Sequence, residues 1–243
     1  MFNRISKFKY LFKLIIFIPL IFSFGKRSYI AFDEGFYALQ ARWILDKSNW
    51  TIPLWWDGYV LDRTIGLQFL IAKSQDFFGR NIFSAYLPTT VSAILMLFIT
   101  YKLHEELFNK KYAIISPLIL STTYLWFDYS HLATQDIIYS CLVTIGLLSL
   151  VKIKSKNNKF YILLFGIWIG LAFMMKTFLV FVPLISLLPY FFIKKNLLFS
   201  KFFWVGLLIG FIPYLFLFLL YFILAKEVIL RLMKVFMHYK PDG

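Results

Sequence analysis

Residues 137–151 read IIYSCLVTIGLLSLV. A short segment carrying Lys152, Lys154, Lys156 and Lys159 follows, and a second apolar run, FYILLFGIWIGLAFMM over 160–175, then closes on Lys176. Two uncharged runs joined by a basic turn predict a pair of helices crossing a bilayer, because in hydrocarbon each backbone N–H and C=O has to find its partner inside the helix. The same pattern repeats on both sides of the pair. Further apolar runs lie at 10–24, 83–101, 112–127, 177–193 and 202–225, which makes seven expected spans. Several are near or below the short end of the roughly 17–25 residues that cross a hydrocarbon core, so the set is carried by its charge pattern more than by any single run.

Composition agrees. The chain has 243 residues, 60% of them hydrophobic, 21% aromatic and only 16% charged. A soluble domain holds about 45–50% apolar and about 25% charged residues, so a single water-facing fold is excluded. The net charge of +14 would suit nucleic acid, but the cations sit in short clusters between apolar runs, where anionic lipid is the natural counter-charge; no nucleic-acid partner is expected. The lone Cys141 rules out an internal disulfide and a multi-cysteine metal site.

The charge clusters also set an orientation. The first run follows Arg4, Lys7, Lys9 and Lys13 and ends in Ser23-Phe24-Gly25-Lys26-Arg27 without a small-x-small cleavage site, which reads as an uncleaved anchor with a cytoplasmic N-terminus. Alternation then puts segments 1–13, 102–111, 152–159 and 194–201 inside. Together these hold fourteen Lys and Arg, and their only acids are Glu105 and Glu106. The long segment 26–82 becomes an extracytoplasmic loop. Within it, 34–47 places Phe36, Leu39 and Trp43 on one helical face, and 64–79 is too short and too polar to span, so both are expected to be interfacial helices. Between them, residues 49–58 are turn-rich and carry three tryptophans, the composition of a chain seated at headgroup level. Gly166/Gly170 and Gly206/Gly210 each form GxxxG inside a run, the mark of close helix packing.

Few residues qualify for chemistry. Asp33 and Glu34 open the first interfacial helix, where Asp33 serves equally well as an N-cap and Glu34 as a first-turn acid. Asp136 lies in the short outer loop His131-Leu132-Ala133-Thr134-Gln135-Asp136; a helix start capped by Thr134 explains it as well as function does. Arg63 and Lys176 are outer-face cations, each readable as a snorkelling surface group or as a phosphate clamp. Carboxylates gathered at a lipid boundary are costly unless paired or used, and this favours a functional reading for the acids. His131 and His238 have no companions at metal-ligand spacing, so neither a metal nor another cofactor is indicated.

The order of these features carries a resemblance. Asp33-Glu34-x-x-Tyr37, a Trp/Pro segment ending at Gly58, a basic residue before an interfacial helix, Phe78-Gly79-x-Asn81-x-Phe83, Leu87-Pro88, His131-x-Ala133-Thr134-x-Asp136 and Gly170-x-Ala172-Phe173-x-x-Lys176 together resemble the protein O-mannosyltransferase and aminoarabinose transferase superfamily. These are integral-membrane glycosyltransferases of the C-type fold. The resemblance implies an all-α membrane domain over 1–243. It also implies a polyprenyl-phosphate sugar as donor, a lipid, glycan or protein as acceptor, and transfer at the outer face of the cell membrane with inversion. It gives Asp33 and Asp136 catalytic roles, Asp33 as general base, and gives Arg63 and Lys176 contact with the donor phosphate, with Glu34, Tyr37 and His131 in support. The chain departs from the family pattern where Arg63-Thr64-Ile65 replaces Lys-Pro-Pro and His131 replaces an arginine. It is also about half the usual length, with 226–243 resembling the start of a further outer loop, so it reads as an N-terminal module completed by a missing half or a partner subunit. A non-catalytic donor-binding module is the alternative. A small transporter fits less well, since it should hold ionisable groups mid-membrane and show an internal repeat.

The expected topology is tested by cysteine-accessibility labelling. A cysteine placed in 152–159 should react only from the cytoplasmic side, and labelling from outside would reverse the orientation.

Overall fold

A computed structural model describes residues 15–21, 28–30, 33–55, 58–59, 64–153, 158–193 and 197–238. Its helices are α1 (Ile18–Ile21), α2 (Asp33–Lys47), α3 (Gly66–Phe78), α4 (Ile82–Leu107), α5 (Ile115–Thr122), α6 (Tyr124–Ser130), α7 (Gln135–Lys152), α8 (Lys159–Lys176), α9 (Phe181–Ser186), α10 (Leu188–Ile193) and α11 (Lys201–His238). An antiparallel hairpin, β1 (Leu54–Trp55) with β2 (Gly58–Tyr59), stands between α2 and α3. Among the described residues three stretches are long and apolar enough to cross a membrane: Ile82–Leu107, Gln135–Lys152 and Lys159–Ser186. Lys201–Phe216 is a shorter apolar helix. The chain is a mostly helical membrane protein.

The runs at 83–101, 137–151 and 160–175 form helices as expected, and α4 extends further, to Leu107. Other runs do not form simple rods. The run at 112–127 breaks at Thr123, whose extended ψ of 124° separates α5 from α6. The run at 177–193 is divided among a 3-10 turn (Thr177–Val180), α9 and α10. Pro183 and Pro189 lie in this stretch, and each removes a backbone donor and crowds the preceding turn. The last run belongs to a helix that continues through residues 226–238, where the sequence suggests the start of an outer loop. Of the first run only 15–21 is described.

The Phe78-Gly79-x-Asn81 motif has a local physical reason. Gly79 ends α3 at φ 86° and ψ 158°, a conformation essentially restricted to glycine. Asn81 then opens α4 with a capping box: its side chain accepts from the Ser84 N–H at 2.8 Å, and its own N–H donates to Ser84 Oγ at 3.3 Å.

The two helices expected at the interface form, but α2 is oriented differently from its hydropathy. Its buried face is Glu34, Tyr37, Gln40, Ala41 and Ile44. Phe36 stacks on Trp55 of the hairpin at 4.6 Å, and Trp43 meets the same indole edge-on at 5.8 Å. The aromatic stripe therefore seats the hairpin, while the polar positions Glu34 and Gln40 turn inward. Gln40 has a buried partner: its amide and that of Gln68 on α3 are hydrogen bonded at 2.7 Å.

Helices α7 and α8 form the hairpin read from sequence, and α11 packs against α8 through glycines. A Cβ added at Gly166 or Gly170 would collide with the backbone of α11, and one added at Gly206 or Gly210 would collide with the backbone of α8. The two GxxxG motifs face each other, so the helices meet backbone to backbone. The bundle has two polar ends. At one, Lys152 pairs with Glu106 at 3.6 Å, joining the segments 102–111 and 152–159. At the other, Lys176 at the end of α8 pairs with Asp136 at the start of α7.

Replacing Gly170 with Val should lower stability by about 1–3 kcal/mol through overpacking, read as a fall in the thermal midpoint in detergent. Leu171→Val, one residue on but exposed, should change it by no more than about 0.5 kcal/mol. Equal effects would mean the glycine contact does not hold α8 to α11.

Candidate active site

The end of the bundle marked by Asp136 and Lys176 is built from three segments distant in sequence. Glu34, in the first turn of α2, is 1% exposed. Its Oε1 accepts the Ala133 backbone N–H at 2.7 Å. Its Oε2 accepts the Ile30 N–H at 2.6 Å and faces the Tyr86 hydroxyl at 3.4 Å. A carboxylate buried beside a membrane is tolerated only when donors replace its lost hydration, and these donors come from the segment before α2, the first turns of α4 and the 131–134 loop. One side chain thus ties the start of α2 to the 131–134 loop.

The second loop is tied to the turn after α8 by the ion pair between Lys176 Nζ and Asp136 Oδ1. Asp136 lies in the first turn of α7, where the helix dipole also favours a negative charge. Thr134 occupies the N-cap position with an extended backbone, but its hydroxyl makes no capping hydrogen bond, which removes part of the purely structural explanation for this loop. Thr177, directly after Lys176, is held at φ 47°, an uncommon conformation for a β-branched residue that fixes the course of the chain as it leaves α8.

A hydrophobic cluster supports this arrangement from below. Tyr37, Ile44, Leu67, Ile71, Tyr86, Ala133 and Met174 are among its buried members. Gly66, the first residue of α3, lies against Met174 so closely that a Cβ there would sit 2.6 Å from the Met174 carbonyl oxygen. The first helical residue of α3 and the last turn of α8 therefore share one contact.

Asp33 differs sharply from its neighbour. It is exposed, and it makes no hydrogen bond or ion pair among the described residues. It is the first residue of α2 rather than its N-cap, which lessens the capping explanation for its presence. Glu34, by contrast, has its oxygens engaged by protein donors, the environment of a positioning residue. Tyr37 is buried in the cluster. His131 ends α6, with its Nδ1 at 2.7 Å from the Phe127 carbonyl oxygen and 3.1 Å from Ser130 Oγ, so this edge of the ring serves its own helix. Arg63 lies outside the described residues. Lys176, considered from sequence as a lone clamp, has Asp136 as its partner. The sequence reading gave no role to Tyr86 or to the Ala133 and Ile30 amides; both amides are backbone groups and leave no side-chain signal. Tyr29, beside this site, keeps its phenol protonated above the ordinary range because it is partly buried and because the Glu34 charge lies nearby.

Comparison with known proteins places this arrangement in a class. A family model described as dolichyl-phosphate-mannose-protein mannosyltransferase matches residues 62–222, and the chain belongs to that family. The undecaprenyl phosphate-alpha-4-amino-4-deoxy-L-arabinose arabinosyl transferase of Wigglesworthia glossinidia brevipalpis is 30% identical over 205 residues, covering 79% of this chain and 36% of that protein. The transferase of the same name from Enterobacter sp. (strain 638) is 27% identical over 195 residues, covering 76% and 34%. The crystal structure of ArnT from Cupriavidus metallidurans bound to undecaprenyl phosphate superposes with a TM-score of 0.78 at 16% identity, over 87% of this chain and 41% of that one. Its apo structure gives 0.73 at 15% identity, over 99% and 45%. The fold is shared, and the chain spans about a third of the length of the curated relatives.

The contrast between the two adjacent acids is measurable. Glu34→Ala should destabilise the protein by about 1.5–3 kcal/mol, the scale of hydrogen bonds to a charged group whose buried donors are then left unpaired. Asp33→Ala should cost no more than about 1 kcal/mol, the scale of a first-turn charge on a helix dipole. Thermal unfolding in detergent that ranked the two in reverse would remove Glu34 from its positioning role.

Proposed function

We propose that this chain carries the donor-binding and base-bearing part of a membrane glycosyltransferase, which moves a sugar from a polyprenyl-phosphate donor to an acceptor at the extracytoplasmic face. The observation that carries this reading is the convergence of three loops at one end of the bundle, through Glu34 to Ala133 and Asp136 to Lys176, beside the exposed acid Asp33. Membership of the mannosyltransferase family supports it. The names of the relatives make undecaprenyl-phosphate-linked 4-amino-4-deoxy-L-arabinose the first donor to test, against lipid, glycan and protein acceptors.

In this reading the chain crosses the cell membrane seven times from a cytoplasmic N-terminus. The Lys152–Glu106 pair supports that arrangement, since it joins two of the basic segments at the end of the bundle away from Asp136 and Lys176. The donor's prenyl chain lies in lipid and its phosphate reaches the outer mouth. Asp33 accepts the proton of the acceptor nucleophile as that nucleophile attacks the anomeric carbon; the bond from this carbon to the phosphate oxygen breaks, and polyprenyl phosphate leaves with the electron pair. Lys176, held by Asp136, and Arg63 supply positive charge where the departing phosphate gains negative charge. A single displacement inverts the anomeric centre.

The test is transfer from the polyprenyl-phosphate sugar by membranes containing the full chain, alone and together with the C-terminal part of a relative. Asp33→Asn should lower the rate by about 10²-fold or more, the usual contribution of a general base, while leaving the amount of folded protein unchanged. Near-normal transfer by this variant would remove Asp33 as the base. Donor binding without turnover, under both conditions, would favour the non-catalytic module.

A further inference from the structure

Helix α2 has a second working face. Tyr37 and Ile44 point into the core, and since successive side chains are turned by about 100°, Ala38 and Arg42 lie about 100–160° round the helix from them. On that side Ala38 and Arg42 line a cavity of about 470 Å³, together with Gln75 of α3, Arg80 and Asn81 at the entry to α4, and Tyr29. Glu34 and Tyr37 are not among its lining residues, although their neighbours Gly35 and Tyr29 are.

Three observations indicate what this cavity would hold. Gln75 is 7% exposed, lines the cavity and makes no hydrogen bond among the described residues. Its amide is reachable from the cavity, so it can donate to or accept from a group bound there. The cavity is also rich in donors. Arg80 Nη1 contacts Asp46 Oδ1 at 2.5 Å and Arg42 Nε contacts Asp46 Oδ2 at 3.4 Å, so one carboxylate is shared by two guanidinium groups, each with five N–H donors. The hydrogen bond and charge of Arg80 hold Asp46 below the ordinary carboxylate range, so it stays ionised and the trio keeps one net positive charge. The third observation is position. Two interfacial helices and the capped start of a membrane-crossing helix enclose the cavity, which sets it where a bilayer has its headgroups.

We propose that this cavity binds the phosphodiester headgroup of a bilayer phospholipid, as a site separate from the Asp33 mouth and independent of the transfer reaction. The guanidinium groups of Arg42 and Arg80 face the phosphate oxygens, a geometry that suits the planar fork, and the Gln75 amide donates to the same group or to its glycerol. Asp46 keeps the two arginines side by side when the site is empty and limits its affinity.

Native mass spectrometry of the full chain in detergent tests this, with phosphatidylglycerol as the lipid and diacylglycerol of the same acyl chains as the phosphate-free control. Phosphatidylglycerol should stay bound where diacylglycerol does not. The Arg42→Gln, Arg80→Gln double variant should weaken retention by about tenfold or more, the loss expected for a charge-assisted hydrogen bond. Ala38→Leu, which fills the cavity without altering charge, should weaken it as well. Asp46→Asn should strengthen it, because both guanidinium groups are then released to the phosphate. That opposite sign separates headgroup binding from general damage to the fold. Equal retention of the two lipids, or retention unchanged by both the double variant and Ala38→Leu, would overturn the proposal. Binding of inorganic phosphate as tight as that of phosphatidylglycerol, with the same dependence on these residues, would overturn the assignment to a lipid.

Discussion

A carboxylate almost sealed from water at the rim of a membrane bundle has to be repaid with hydrogen bonds, and Glu34 receives them from three places in the chain. Much of the outer end follows from this constraint. The Ala133 amide fixes the second loop over the first, Tyr86 fixes α2 against α4, and the Ile30 amide fixes the approach to α2. Once the 131–134 loop is held, α7 begins where Asp136 meets Lys176. Asp33, one residue from this knot, is left at the surface with its orientation set by a rigid neighbour. The two adjacent acids have opposite environments: Glu34 is buried and hydrogen bonded, and Asp33 is exposed, as the proposed base requires.

The lower part of the molecule obeys a different constraint. Lipid gives two helices little hydrophobic reason to associate, so contact has to come from close packing and internal polar bonds. Facing glycines on α8 and α11 allow the backbones to touch. The hairpin of α7 and α8 is secured by charge at one end, through Asp136 with Lys176, and at the other end Lys152 of α7 pairs with Glu106 of α4. The position of Lys176 at the mouth therefore depends on packing along the whole length of α8.

Much of this was legible from residues alone. Charge clusters between apolar runs located the helices α4, α7 and α8, the GxxxG pairs forecast the glycine contact, and the segment 64–79 was too polar to be anything but a short helix beside the bundle. What hid from sequence was tertiary. The hydropathy of α2 points to Phe36, Leu39 and Trp43 as its seated face, whereas its core face includes Glu34 and Gln40, whose partners lie 99 and 28 residues away. Lys176 looks solitary in its turn because Asp136 is 40 residues distant. The breaks at Thr123 and after Lys176 were missed because hydropathy averages over a run and does not register one residue of extended or left-handed backbone. Among the candidate site residues, Glu34, Asp136 and Lys176 lie at one end of the bundle with Asp33 beside them, but sequence could not tell the buried acid from the exposed one.

Amide hydrogen exchange at Ala133, followed in the wild-type protein and in Glu34→Gln, tests most directly whether a single carboxylate joins the two outer loops. The Ala133 N–H should be strongly protected in the wild type. In the variant its exchange should accelerate by about 10- to 100-fold, the equivalent of a hydrogen bond to a charged group, while amides in the middle of α8 keep their protection. Equal exchange at Ala133 in the two proteins would contradict the claim that Glu34 holds the mouth together.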